Sequence, residues 1–143
     1  MSGEIIVGIG PEGRDGGAAD MGAQLARAMG CGVVLVFGYE QSMLGPRGGP
    51  LEDQLEAIAA EVTSTVQARL HTEHPEVVVA VELVRDRAVD SLLRVAEAYE
   101  ASMIVVGHGG RGPIRAALLG STTYEVVHRS PVPVVVMPAP IDE

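Results

Sequence analysis

The chain has 143 residues, enough for one domain that buries roughly two thirds of its unfolded surface, and 47% of them are hydrophobic. A formal charge of -9, no tryptophan and 3% aromatic residues exclude a nucleic-acid binder, which needs basic side chains along a phosphate backbone and rings for stacked bases. A lone cysteine, Cys31, excludes an intramolecular disulfide, and no apolar run approaches the ~20 residues of a membrane helix. No apolar N-terminal run with a basic flank marks export, so residues 1–143 are read as one cytoplasmic domain with no membrane partner.

In chain order, Glu4 to Ile9 is a short apolar run that reads as a strand covered on both faces. Asp15 caps a first helix that ends near Met29, with Gly16 and Gly17 weakening its opening turn and Gly30 as its stop. Val33 to Phe37 is the second strand, and Gln41 to Pro50 (QSMLGPRGGP) reads as a linker-like loop. A second helix runs from about Leu51 to His71, with Leu51, Leu55, Ile58, Ala59, Val62 and Val66 on one stripe and the acids of Glu52 to Glu61 facing water. Val77 to Val84 is the third strand. The helix from Val89 to Tyr99 follows, with Leu92, Val95, Ala96 and Tyr99 aligned. Ser102 to Val106 is the fourth strand, Ser121 to Arg129 a fourth helix stopped by Ser130-Pro131, and Val132 to Met137 the last strand. Five strands alternating with four helices imply an open, doubly wound α/β sheet, mostly parallel, with right-handed crossovers.

Ligands of such sheets bind outside the carboxyl ends of the strands, where strand order reverses. Glycine clusters stand at two of these ends: Gly8 to Gly13 (GIGPEG), and a longer loop from Gly107 to Ser121 (GHGGRGPIRAALLGS). The second has the composition of a phosphate cradle. Gly107, Gly109, Gly110 and Gly112 let backbone N–H groups approach an anion, and Gly120-Ser121-Thr122 opens a helix whose unpaired donors and positive dipole end meet it from the other side. From Ala101 through Tyr124 there is no Asp or Glu, whereas His108, Arg111 and Arg115 fall inside the window. If strands one and four are neighbours, both clusters face one crevice.

Both clusters also satisfy G-x-G-x-x-G, at Gly8, Gly10 and Gly13 and at Gly107, Gly109 and Gly112. The dinucleotide reading is discounted, because Gly16 and Gly17 weaken the first helix, Pro113 follows the second cluster, and Glu40 is a distant candidate for the ribose carboxylate. A P-loop motif is absent. Bland readings suit most other polar residues. His108 reads as an exposed loop side chain without a partner carboxylate, and Ser121 as a cap that also binds. His71 and His74 read as a solvated helix end without a third metal ligand. His128 and Arg129 suit the last helix's negative dipole end, and Cys31 is a small hydrophobe. Phosphoryl transfer needs carboxylates for a metal and a residue to orient water; the acids on hand, Glu12, Asp15, Glu40 and Asp86, come from other loops. The chain therefore reads as a binder, with no catalytic residue and no metal site of its own, and at most a slow ATPase.

Gly107-x-x-Gly110, nine residues and then Gly120-Ser121 resembles the G-x-x-G-x9-G-[ST] signature of the ATP-binding branch of the universal stress proteins. The likeness extends over IIVGIG, GCGVVLVFGYE, ASMIVVGHGGRG and LLGSTTYEVVHRSPVPVVVMP, nearly the whole chain. It implies a five-stranded parallel sheet in the order 3-2-1-4-5 and a homodimer through the last strand, Val132 to Met137. It also implies ATP, ADP or AMP between strands one and four, with any Mg²⁺ carried by the nucleotide, in a stress-response protein. By the same resemblance Gly107, Gly109, Gly110, Gly120, Ser121 and Thr122 hold ribose and phosphates, Val106 and Gly38 line the adenine, and Ile9 and Gly10 close the first strand against it. Gly10 stands where the family commonly has Asp, and Gly38 where a Val touches the base. Losing the carboxylate removes a charge-assisted hydrogen bond of about 1.5–3 kcal/mol unless Glu12 or Asp15 replaces it. That departure favours an alternative, a nucleotide-free dimer that acts as a regulatory docking module; a third reading is a small nucleotide-dependent enzyme.

Overall fold

The computed structural model describes residues 3–10, 15–39, 50–109 and 119–138. Gly110, Arg111, Gly112, Pro113 and Arg115, with Glu12, Gly13, Glu40 and the loop 41–49, lie outside the described residues. The elements run β1 (Ile5–Gly8), α1 (Ala18–Met29), β2 (Val33–Gly38), α2 (Pro50–Glu73), β3 (Val79–Val84), α3 (Ala88–Ala98), β4 (Met103–Val106), α4 (Ser121–Arg129) and β5 (Val134–Val136). All pairings are parallel and the order is β3-β2-β1-β4-β5, the order that the family likeness implies. Ile5 stands between Val33 of β2 and Met103 of β4, so β1 is central and its carboxyl end adjoins that of β4.

Alternation along the strands splits the core into two layers. Ile5, Val7 and Ile9 face α1 and α2, together with Val33, Leu35 and Val105. Ile6, Val34, Val36, Ile104 and Val106 face α3 and Val126 of α4. Ile5, Ile6, Leu35 and Ile104 are fully buried, each contributing about 1.5–3 kcal/mol. On α1 the buried residues are small: Ala18, Ala19, Gly22, Ala23 and Ala26. The helix therefore lies close against the central strand, so close that a Cβ on Gly22 would come within 2.5 Å of Val7 Cγ2.

Several expected boundaries move for identifiable reasons. Gly16 and Gly17 both have positive φ and precede α1 rather than opening it. Pro50 belongs to α2, as its first residue, where its missing N–H costs nothing. Ile58, expected on the apolar stripe, is 50% exposed, and the inner face instead carries Thr63, whose hydroxyl donates to Ala59 O at 2.7 Å. The last strand is cut to Val134–Val136. Pro133 still accepts from Ile104 N at 2.9 Å but has no N–H to return. No described helix is long and apolar enough to cross a membrane.

Candidate functional site

The start of α4 meets the loop that leaves β4 through glycines on both sides. Gly109 has φ +84°, and a Cβ on Gly120 would lie 2.1 Å from Gly109 O, so the two backbones touch where no side chain fits. Gly120 N donates to His108 O at 3.1 Å, and Thr123 Oγ1 donates to Gly107 O at 2.8 Å. Gly107 is pressed on its other side by α1's approach, with a Cβ there 2.9 Å from Asp15 O. Three loop glycines expected to clear space for an anion thus clear it for the chain itself.

Gly120, not Ser121, occupies the cap position of α4, and no side chain among the described residues caps it; the first turn holds no acid. Ser121 is therefore the first helical residue, exposed together with Thr122. Both line a cleft of about 240 Å³ that also takes in Gly38 at the end of β2, Asp86, Arg87, Ala88 and Val89 at the start of α3, and Glu125. Gly38 is where α3 comes closest to the sheet: a Cβ there would lie 2.5 Å from Ser91 Oγ and 3.0 Å from Ala88 Cα. A valine in its place would meet backbone.

Of the residues singled out in the sequence, the cleft unites Gly38, Ser121 and Thr122. Ile9 and Val106 are 7% and 4% exposed and sit in opposite core layers. Gly10 follows Ile9 beyond the end of β1 and is not among the residues lining the cleft. Asp15 is engaged at the start of α1. Its two oxygens accept from Gly17 N at 3.0 Å and Ala19 N at 2.9 Å, closing the start of α1. His108 is half-buried rather than exposed, and its buried Nδ1 has no hydrogen-bond partner among the described residues. His74 is also unlike a solvated end, with its side chain 13% exposed and Nε2 3.4 Å from Asp20 Oδ1. Asp20, Glu73 and His74 bring ligand atoms within 4.8 Å of one another, but Arg69 donates to both carboxylates at 3.0 and 3.3 Å, so a cation already fills that position. Burial pushes the Cys31 thiol up, away from nucleophilic chemistry, and the Glu4 charge adds to this.

Sequence reasoning missed the charged wall of the cleft. Arg87 Nη2 donates to Glu125 Oε2 at 3.2 Å and Arg87 Nε to Asp90 Oδ2 at 3.0 Å. Arg129 binds the same two acids from one turn further along α4, at 2.9 and 3.0 Å. The hydrogen bond from Arg129, then that from Arg87, holds the Glu125 carboxyl below its usual range; for Asp90 the order is Arg87, then Arg129. The signal was the run VRDRAVD straight after the third strand, at a carboxyl end where ligand loops gather.

A profile of the universal stress protein family matches residues 1–138. A universal stress protein of Mycobacterium tuberculosis is 32% identical over 149 aligned positions, covering 96% of this chain and 44% of the relative. The chain thus spans less than half the length of the curated relatives it matches. Among solved structures, a universal stress protein from Archaeoglobus fulgidus in complex with dAMP superposes with a TM-score of 0.74 at 21% identity, covering 96% of this chain and 98% of that one. Another in complex with cAMP gives 0.68 at 22%, covering 98% and 100%. Identities this low establish the fold that the sheet order already displays, and the match of family and curated relative over nearly the whole length carries the rest: the chain belongs to the universal stress protein family.

Proposed function

We propose that this chain is an adenine-nucleotide binder, for ATP, ADP or AMP, serving a regulatory role in the cytoplasm rather than catalysing a reaction. The nucleotide lies at the carboxyl ends of β1 and β4, with its phosphates toward the Gly107 to Ser121 loop and the start of α4. One observation carries this reading: among the described residues no side chain caps the start of α4, its first turn holds no acid, and its Ser121 and Thr122 line the cleft. A helix start left in this state offers N–H donors and a positive dipole end to an anion. That donor set fits phosphate, and the two fold neighbours seen with dAMP and cAMP support the nucleotide class. Mg²⁺ would arrive with the nucleotide, since the cleft acids Asp86 and Glu125 are engaged by Arg94 and by Arg87 and Arg129.

Ser121→Asp tests it. A carboxylate at the first helical residue adds about 0.3–1 kcal/mol to helix stability while repelling phosphate. Calorimetry should show ATP affinity falling at least tenfold with the melting midpoint unchanged or raised; equal affinity in the two proteins would sink the assignment. The nucleotide-free docking module is favoured by Gly10 and by Asp15 being spent on α1. Mass spectrometry of gently purified protein separates the two, since a co-purifying adenine nucleotide is incompatible with an empty scaffold.

The homodimer belongs to the same reading. β5 is an outer strand with its valines half-buried, and such an edge invites pairing. Val135 packs toward the α1 layer and is a poor probe, because a charge there also strikes the core. Met137 N donates inward to Val106 O at 2.9 Å, so by alternation Val136 N–H points to the free edge. Val136→Pro removes that donor together with a side chain packed against the α3 layer, so a circular dichroism melt must first show the variant folded. Light scattering should show a dimer for the parent and a folded monomer for the variant; a monomeric parent at tens of micromolar refutes the pairing.

A further inference from the structure

We propose that Arg87 is the ligand-facing cation of the cleft, held in reserve by Glu125, and that a phosphate entering at the start of α4 takes the guanidinium from that carboxylate. This rests on the cleft being the nucleotide site. Arg87, Glu125, Ser121 and Thr122 line the same cavity, whereas Asp90 and Arg129, the outer members of the charge network, do not. The side chains of Arg87 and Glu125 are 49% and 38% exposed, and their contact of 3.2 Å is the longest of the four in the network. Exposed pairs of this kind are weakly held, so a second anion competes for the arginine on nearly equal terms. A phosphate competes well, because the guanidinium fork matches two of its oxygens at once.

Glu125 lies four residues after Ser121 and three after Thr122, on the face of α4 turned to α3. An anion seated on the amides of Ser121 and Thr122 therefore has that carboxylate one turn away, opposing it. When Arg87 moves to the phosphate, Glu125 keeps its second partner, Arg129, at 2.9 Å. The exchange leaves no carboxylate unpaired. Arg87 itself stays anchored, because it holds the cap position of α3 and its Nε is bound to Asp90 at 3.0 Å.

The test uses opposite signs. Glu125→Gln and Arg87→Gln break the same ion pair, so a purely structural role moves ATP affinity in one direction for both. Exchange instead requires that Glu125→Gln tighten ATP several-fold while Arg87→Gln weakens it by roughly tenfold, the size of one charge-assisted contact. With both substitutions together, the gain from Glu125→Gln should shrink, because no arginine is left to release. Arg87→Lys should recover part of the loss, keeping the charge without the fork. Calorimetry with ATP at fixed low salt reads the affinities, and circular dichroism melts confirm that each variant folds. Affinity changes of the same sign, or none, overturn the exchange while leaving the nucleotide site standing. A parent that binds no ATP overturns the functional reading and the exchange with it.

Discussion

Two helices begin side by side at the carboxyl edge of the sheet, and they begin in opposite ways. α1 is closed: the Asp15 carboxylate accepts from Gly17 N and Ala19 N, and Asp20 adds a second acid in the first turn. α4 has Gly120 at its cap, no capping side chain among the described residues and no acid in its first turn. The two starts are separated by little more than Gly16 and Gly107, whose approach is so tight that a Cβ on Gly16 would lie 3.3 Å from Gly107 Cα. Both helices face the same need to satisfy their first N–H groups. One satisfies them from within the chain, at a gain in stability. The other takes no side chain from the described residues, and the proposed phosphate site rests on that difference rather than on the count of glycines.

The strongest blow to the open start is Gly120→Ala. A Cβ there falls 2.1 Å from Gly109 O and 2.4 Å from Gly109 C, main-chain atoms that cannot swing aside like a side chain. Either the loop leaves α4 or the helix shifts, at about 1–3 kcal/mol, as in overpacked cores. Urea unfolding should show that loss, and calorimetry should find ATP binding abolished. A variant with the parent's midpoint and affinity would mean that the Gly109–Gly120 contact does not set the site.

Asp15→Ala breaks the closed start. The loss of a helix-capping carboxylate costs about 1 kcal/mol, while ATP affinity should stay within about twofold, since the carboxylate serves backbone N–H groups and not a ribose. The reverse result, unchanged stability with a tenfold fall in affinity, would make Asp15 the substitute for the family's acid and invert the comparison.

Part of this contrast is legible in the sequence. Strand and helix identities followed from apolar runs of two kinds, and the strand order that joins the two glycine clusters came with the family likeness. Gly30 ends α1 in the left-handed conformation, as its place after Met29 implied. Ser121 was legible as the start of α4 but not as an uncapped start, because whether Ser or the preceding Gly holds the cap depends on where the loop enters. Gly38, Ser121 and Thr122, which the family likeness singles out, line one cleft. Arg87 and Glu125 were not singled out: they stand 38 positions apart in the chain and meet only because α3 and α4 pack on the same face of the sheet. The loop glycines were read as space for a ligand, yet Gly107 and Gly120 are filled by Asp15 and Gly109, neighbours that no local pattern announces.

The smallest predicted effect concerns the other acid of the closed start. Burial pushes the Asp20 carboxyl upward, but the hydrogen bond and charge of Arg69, followed by those of His74, outweigh it and hold the group below the ordinary value of 3.8. A carboxylate with a depressed folded value binds protons more readily in the unfolded chain, so its contribution is fully present above 3.8 and fades as pH falls through the lower folded value. The side chains of Arg69 and Asp20 are 40% and 38% exposed, which limits the pair to about 0–1 kcal/mol. Parent and Asp20→Asn should therefore differ slightly in urea midpoint at pH 5, with the gap closing as the pH falls below 3.8. Because α4 has no acid in its first turn, the acid-induced loss should appear in the amide exchange of α1 before that of α4. A gap between the two proteins that widens toward pH 3 would reverse the sign assigned to Asp20, and simultaneous loosening of both helices would show that the two starts are not independently held.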